Sequence, residues 1–224
     1  MRHHALDERR ALAETLRCAD PHAPTLCGDW RAAQLAAHLV LRERSLLELA
    51  GRAPVEPLRR AAEHRIDELA ATEAYGDLVD AVERGPSWRD LRWPVPVAPL
   101  WALPPVREAA NLLEYVIHHE DVRRAGAAWT PRALPVDRQM AVWKKLPLAA
   151  LMTLRKVPVG LEVAWPGHGA LRNARARRGG VVVRVTGEPV ELALFASGRA
   201  AHARVEYDGE AADVALVRRA EIAL

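Results

Sequence analysis

Little in this chain of 224 residues is sulfur, phenylalanine or long apolar run. Its two cysteines, Cys18 and Cys27, are too few for a disulfide framework or for a structural zinc site made of thiolates. Both are expected to be packing residues, and a cytoplasmic home is expected for the chain. No stretch reaches the eighteen or so consecutive apolar residues that would span a membrane. The first ten residues mix histidine, arginine and acid with no apolar run behind them, so no secretory signal is expected. Charge of one sign is lacking too. The 32 basic and 29 acidic residues leave a net +3 spread along the chain, which excludes nucleic acid as the main partner. What remains, 50% apolar and 27% charged, is an ordinary globular composition with enough length for one large domain or two small ones.

Helical periodicity dominates the first two thirds. Ala5 to Cys18 carries Leu6, Leu12 and Leu16 among charges and ends at Pro21 and Pro24. A second helix is expected from Asp29, as N-cap, through Leu35, Leu39, Leu46 and Leu49 to Gly51. Arg59 to Ala70 and Tyr75 to Arg84 read as two more, the latter stopped by Gly85-Pro86. Trp88 to Pro105 holds five prolines and reads as a long crossover pinned by Trp88, Trp93 and Trp101. Helices resume over Val106 to Arg124 and over Val136 to Leu154, the last kinked near Pro147.

After Pro158 the pattern changes. Leu161 to Trp165 and Val181 to Val185 are expected strands, separated by a Gly- and Arg-rich loop from Gly167 to Gly180. Pro189 opens a short helix that Gly198 closes, Ala203 to Tyr207 is a possible third strand, and Ala211 to Ala220 a final helix. The chain is therefore expected to be mainly α with a small α+β C-terminal domain. The boundary falls near residue 155, giving domains 1–155 and 156–224.

Chemistry concentrates in two helical segments. In Asn111 to Arg124, Glu114 and His118 are four residues apart and share one stripe of a helix, together with Asn111 and either Asp121 or Val122. Burying a carboxylate costs several kcal/mol unless it is paired or metal-bound, and a divalent cation would compensate for Glu114. His38, on the apolar second helix, is the candidate third ligand of a two-histidine, one-carboxylate site with an exchangeable position. Spacing alone leaves other readings open. An exposed Glu114–His118 pair is worth only about 0.2–0.5 kcal/mol, and a histidine among Ala37, Leu39 and Val40 equally reads as a hydrogen-bonded core residue. His119 points about 100° away from His118 and is expected to be second-shell or at the surface. Arg123 and Arg124 read as solvated cations favouring the helix C-terminus. Arg42, one turn beyond His38, could hold a substrate carboxylate or pair with Glu43 or Glu48.

These segments carry a resemblance. Leu26 to His38, in which Trp30 precedes Leu35-Ala36-Ala37-His38-Leu39, and the run N-L-L-E-Y-V-I-H-H-E-D-V-R-R from Asn111 to Arg124 resemble the DinB-like superfamily of metal-binding four-helix bundles. Within it they are similar to the mycothiol-dependent maleylpyruvate isomerase group, and the H-H-E-D-V-R-R stretch looks most like a metal-binding subgroup apart from the established isomerases. Gly187 to Phe195 with Gly198-Arg199 looks like the sterol-carrier-like C-terminal domain that many of these proteins carry. The resemblance spans nearly the whole chain. It implies that His38, Glu114 and His118 bind one divalent metal, commonly zinc, and that mycothiol or another low-molecular-weight thiol is the co-substrate. Arg199 resembles a position from which an arginine clamps an acidic substrate.

The expected function is thiol-dependent isomerisation of, or S-transfer to, a small electrophilic molecule, acidic or not, by a monomer or homodimer. The rival expectation is a non-catalytic metal or small-ligand binding module whose second domain holds an apolar molecule.

Overall fold

The structure is a computed structural model that describes residues 3–44, 56–85, 104–220 and 222. Among the described residues are nine α-helices and one four-stranded sheet, so the chain is mainly helical with a small mixed sheet near its C-terminus. No described helix is long and apolar enough to cross a membrane. The chain divides into two compact units, Met1–Trp129 and Thr130–Leu224.

The first unit carries α1 (His4–Cys18), α2 (Ala32–Arg44), α3 (Glu56–Thr72), α4 (Tyr75–Arg84) and α5 (Pro104–Arg123). α1 packs against α5 and α4, and α2 against α3 and α4. On α1, Ala5, Glu8, Leu12 and Leu16 recur at helical spacing and are all buried, so one of the core positions is a carboxylate. α2 is apolar nearly all round its middle, with Leu35, Ala36, Ala37, Leu39 and Val40 buried. On α5, from Asn111 to Asp121, every described side chain but that of Leu113 is buried, polar ones included.

α2 starts at Ala32, three residues later than its Asp29 N-cap expectation. The intervening chain folds instead into a tight turn, in which Pro24 and Arg31 bridge, Trp30 N donates to Cys27 O at 3.1 Å, and Thr25 Oγ1 donates to Trp30 O at 2.8 Å. Gly28 sits in the left-handed region at φ 59°, where a side chain would be strained. The expected continuation of α2 to Gly51 and the proline-rich crossover with Trp88, Trp93 and Trp101 lie outside the described residues.

The second unit opens with α6 (Val136–Thr153), a helix whose periodicity had suggested the end of the bundle but which packs against a helix of the second unit. It runs continuously through Pro147. There follow β1 (Leu161–Trp165), β2 (Gly169–Arg172), α7 (Ala174–Gly179), β3 (Val183–Thr186), α8 (Pro189–Ala196), β4 (Glu206–Asp208) and α9 (Ala211–Arg219). The sheet order is β2-β1-β3-β4, with β1 and β3 parallel and both outer pairs antiparallel. α8 is buried along its whole length and packs on α6, whose Gln139 accepts the Val190 N–H at 3.2 Å and so satisfies a donor of the α8 first turn.

Two elements depart from expectation. The Gly- and Arg-rich stretch from Gly167 to Gly180 contains the outer strand β2 and the short helix α7 rather than a loop. β2 is mostly exposed and so lacks apolar alternation, while α7 is announced only by its cap, Asn173, whose side chain accepts from Ala176 N.

Candidate metal centre

α5 and α2 bring three of the expected residues together. The ligand atoms of His38, Glu114 and His118 all lie within 4.8 Å of one another, and all three residues are buried, at 9%, 9% and 7% exposure. His118 Nε2 lies 3.4 Å from Glu114 Oε2. The rings of His38 and His118 meet edge to face with centroids 5.3 Å apart, and the Trp30 ring, delivered by the 24–31 turn, is tilted against His38 with centroids 5.0 Å apart. The i, i+4 spacing on α5 accounts for the Glu114–His118 stacking, and the exposed-pair alternative fails because neither residue reaches the surface.

Arg42 is one turn along α2 from His38. Its Nε lies 3.4 Å from Glu114 Oε2 and its other nitrogen donates to Asn111 Oδ1 at 2.8 Å. Asn111 in turn donates to Glu43 at 3.1 Å, and Glu43 also takes a short hydrogen bond from Tyr115 and lies 3.6 Å from Arg9 of α1. Burial together with the Glu43 charge drives the Tyr115 phenol far above its ordinary range. Arg42 is thus embedded in a buried polar network at the end of the site. Arg199 belongs to the second unit, where it donates to the Ser197 carbonyl at 2.5 Å.

The other edge of His118 carries residues that sequence reasoning missed. Its Nδ1 lies 2.9 Å from Asp121 Oδ2 and 3.5 Å from Cys27 Sγ, and the Cys27 thiol donates to the same Asp121 oxygen at 2.9 Å. Cys27 is therefore more than packing, and Cys18, exposed, is not packing at all. Asp121 was legible as a candidate member of the stripe, seven residues beyond Glu114. Cys27 was not, since no sequence pattern ties it to a helix more than ninety residues away. The backbone ties it there: Leu26 N donates to Asp121 O at 3.1 Å.

Burial opposes charge on His118, but Cys27, Asp121 and Glu114 outweigh it and raise its imidazole well above the ordinary histidine range.

The remaining charges of the H-H-E-D-V-R-R run are structural. His119 is neither second-shell nor at the surface: it is 4% exposed and faces α1, with Nδ1 2.8 Å from the fully buried Glu8 and Nε2 2.8 Å from Thr15 Oγ1. Arg124 is not solvated either. It is completely buried, paired with Glu120 at 2.6 Å and stacked over Trp129 at 4.5 Å, whereas Arg123 holds the same carboxylate from a part-exposed position.

No family model matches the chain, and no curated protein matches it. Among solved structures it is similar to a histidine-to-alanine variant of the mycothiol-dependent maleylpyruvate isomerase. The identity is 18%, the match covers 92% of this chain and 91% of that one, and the TM-score is 0.63. The chain shares that isomerase's fold. At this identity the likeness speaks for architecture, and the chemistry rests on the side chains described above.

Two imidazoles and a carboxylate, buried and converging, are a donor set that fits a divalent cation. They leave room for a fourth, exchangeable ligand of the kind catalytic zinc sites keep.

Proposed function

We infer that this protein binds a divalent metal, most simply zinc, through His38, Glu114 and His118. We further infer that it uses the site for thiol-dependent chemistry on a small electrophile, either isomerisation or transfer of the thiol. The observation that carries this is the convergence of the three buried ligand atoms within 4.8 Å. The fold shared with a mycothiol-dependent isomerase supports a low-molecular-weight thiol, mycothiol or a relative, as co-substrate.

A bound cation would supply Lewis acidity that lowers the pKa of a ligating thiol, so that at neutral pH its proton would pass to solvent and the thiolate would be left nucleophilic. The chain does the rest. Asp121 accepts the Nδ1 proton of His118 and so turns Nε2 toward Glu114 and His38, fixing tautomer and ring plane. Arg42, held by Asn111, places a cation beside Glu114 where an acidic substrate group would be attracted. Arg199 lies in the C-terminal unit, which we read as the sterol-carrier-like domain, and its guanidinium is a candidate partner there for an acidic group. Burial of the ligands keeps bulk water away from an activated thiol.

One observation favours the binding-module alternative. The second unit holds a cleft of about 390 Å³ with Ala150, Leu154 and Leu171 in its wall and Arg155 and Arg177 beside them, suited to an apolar molecule with an acidic end.

The test begins with elemental analysis. Protein in which Cys27 is replaced by alanine, so that only this ligand set is complete, is expected to carry close to one zinc-class ion per chain, and the added His38→Ala change to remove it while the far-ultraviolet circular dichroism stays the same. Thiol-dependent turnover of maleylpyruvate-like or other electrophilic substrates is then expected from the metal-loaded protein alone. Full metal occupancy in the protein carrying both changes would remove His38 from the ligand set. Metal without any thiol-dependent turnover would favour the binding module.

A further inference from the structure

We propose that the opposite edge of His118 is a second metal subsite, built from Cys27 Sγ, Asp121 and His118 Nδ1 and suited to a thiophilic divalent cation. It shares His118 with the set above and otherwise does not rest on that reading.

The three donors lie within 4.8 Å of one another, Asp121 fully buried and Cys27 partly so. A tetrahedral zinc-class ion with metal–nitrogen and metal–oxygen bonds of about 2.0–2.1 Å and a metal–sulfur bond of about 2.3 Å separates its ligands by roughly 3.4–3.6 Å. The Cys27 Sγ to His118 Nδ1 distance is already 3.5 Å. The two contacts to Asp121 Oδ2, both 2.9 Å, need to open by about half an ångström, within the reach of small side-chain rotations.

The subsite is built rather than accidental. Cys27 is delivered by a turn fixed at four points. Its own N–H donates to Thr25 Oγ1 at 3.2 Å, its carbonyl accepts from Trp30 N at 3.1 Å, Gly28 takes the left-handed conformation after it, and Leu26 N is bonded to the Asp121 carbonyl. The sulfur and the carboxylate it addresses therefore move as one piece of backbone. Thiolate, imidazole and carboxylate together favour a soft or borderline ion such as zinc, cobalt(II) or cadmium over magnesium or calcium.

Loading the edge releases two protons, one from the Cys27 thiol and one from His118 Nδ1, both of which now point at Asp121. With both edges filled, the His118 ring joins the two cations as an imidazolate, and the first site senses the second through that ring.

Cobalt(II) titration of metal-free protein tests the proposal, in a Cys18→Ser background so that Cys27 is the only thiol. A variant with His38→Ala and Glu114→Gln lacks the first ligand set. It is expected to bind one cobalt with a near-ultraviolet thiolate-to-cobalt charge-transfer band. Adding Cys27→Ala is expected to abolish the band and weaken binding about 100-fold. The protein with only Cys18→Ser, saturated with cobalt, is expected to show the same band, which keeps the test open should the triple variant not fold. Absence of the band from saturated, folded protein that retains Cys27 overturns the proposal. Cys27→Ala with the first set intact separates the two readings. One cobalt bound without the band upholds the first set. No cobalt bound there, alongside one bound in the His38→Ala, Glu114→Gln protein, would refute the first set and leave the Cys27 subsite standing.

Discussion

His118 and His119 are neighbours on α5 with opposite fates. His119 faces α1 and meets one carboxylate and one hydroxyl, Glu8 and Thr15, one at each ring nitrogen. His118 faces α2 and the 24–31 turn, and meets two carboxylates, a thiol and a second imidazole. The first arrangement sets one imidazole against one carboxylate and one hydroxyl. The second gathers two carboxylates, a thiol and two imidazoles, and that excess of ligand atoms, not burial or the presence of histidine, makes it the candidate cation site.

Replacing each ring in turn should sharpen this contrast most. His118→Ala is expected to abolish metal binding altogether by elemental analysis. His119→Ala is expected to keep the metal but to lose about 1–3 kcal/mol of stability in urea unfolding, because buried hydrogen bonds to Glu8 and Thr15 are removed. If His119→Ala also shed its metal from folded protein, the two faces of α5 would not be separable as argued. A smaller effect is expected from Asp121→Asn, which leaves the three primary donors in place but loosens the hold on His118. Metal affinity should fall about 10–100-fold by competition with a chelator, with little change in circular dichroism.

Acidity gives a third handle. His118 is held well above the usual value of about 6.5, so in metal-free protein a proton must leave before a cation enters. Below the raised value, metal affinity measured by calorimetry is expected to climb roughly tenfold per pH unit. The same shift acts on folding. Because the folded-state value lies above the unfolded one, the charged ring's contribution to metal-free stability is fully present below about pH 6.5 and is lost as pH rises through the folded-state value. A flat affinity profile across this range would take His118 out of the ligand set.

The smallest effect belongs to the second unit, where charge is arranged on another principle. Glu162 of β1 is held between Arg172 of β2 and Arg184 of β3, at 2.6 and 2.7 Å, and both guanidinium groups remain about half exposed. Arg172 and then Arg184 keep its carboxyl below the usual range. That contribution is present above about pH 4.3 and is lost as pH falls through the lowered value. Glu162→Gln should cost about 1 kcal/mol at neutral pH, since both arginines can return to water, and should flatten stability in acid. A loss as large as that of His119→Ala would show that exposure of the partners does not matter.

Helices were legible wherever a repeat of 3.6 met a stop. Tyr75–Arg84 lies where the spacing of Leu78, Val79 and Val82 places it, and α1, α5 and α9 begin and end within two residues of expectation. The stripe of Glu114 and His118 was legible for the same reason, and His38 because an imidazole on an apolar helix is out of place. Pairings between distant segments were not. Glu8 with His119 joins residues 111 apart, and nothing local in either helix names its partner. Arg124 misled for a related reason: a cation in the last turn of a helix suits solvent by every local rule, and only the packing of Trp129 and Glu120 around it buries it. α6 kept its periodicity but not its expected company, because amphipathic spacing says that a face is covered without saying by what.

The turn from Pro24 to Arg31 has a consequence for how this centre can change. One short cassette carries both the sulfur beside one edge of His118 and the indole beside His38, and Gly28 with the Leu26–Asp121 bond sets its seat. A single insertion, or a β-branched residue that cannot hold the left-handed backbone of that glycine, would displace both neighbours at once. Retuning the two sides separately has to proceed by exchange of the side chains, with the backbone of the cassette left alone.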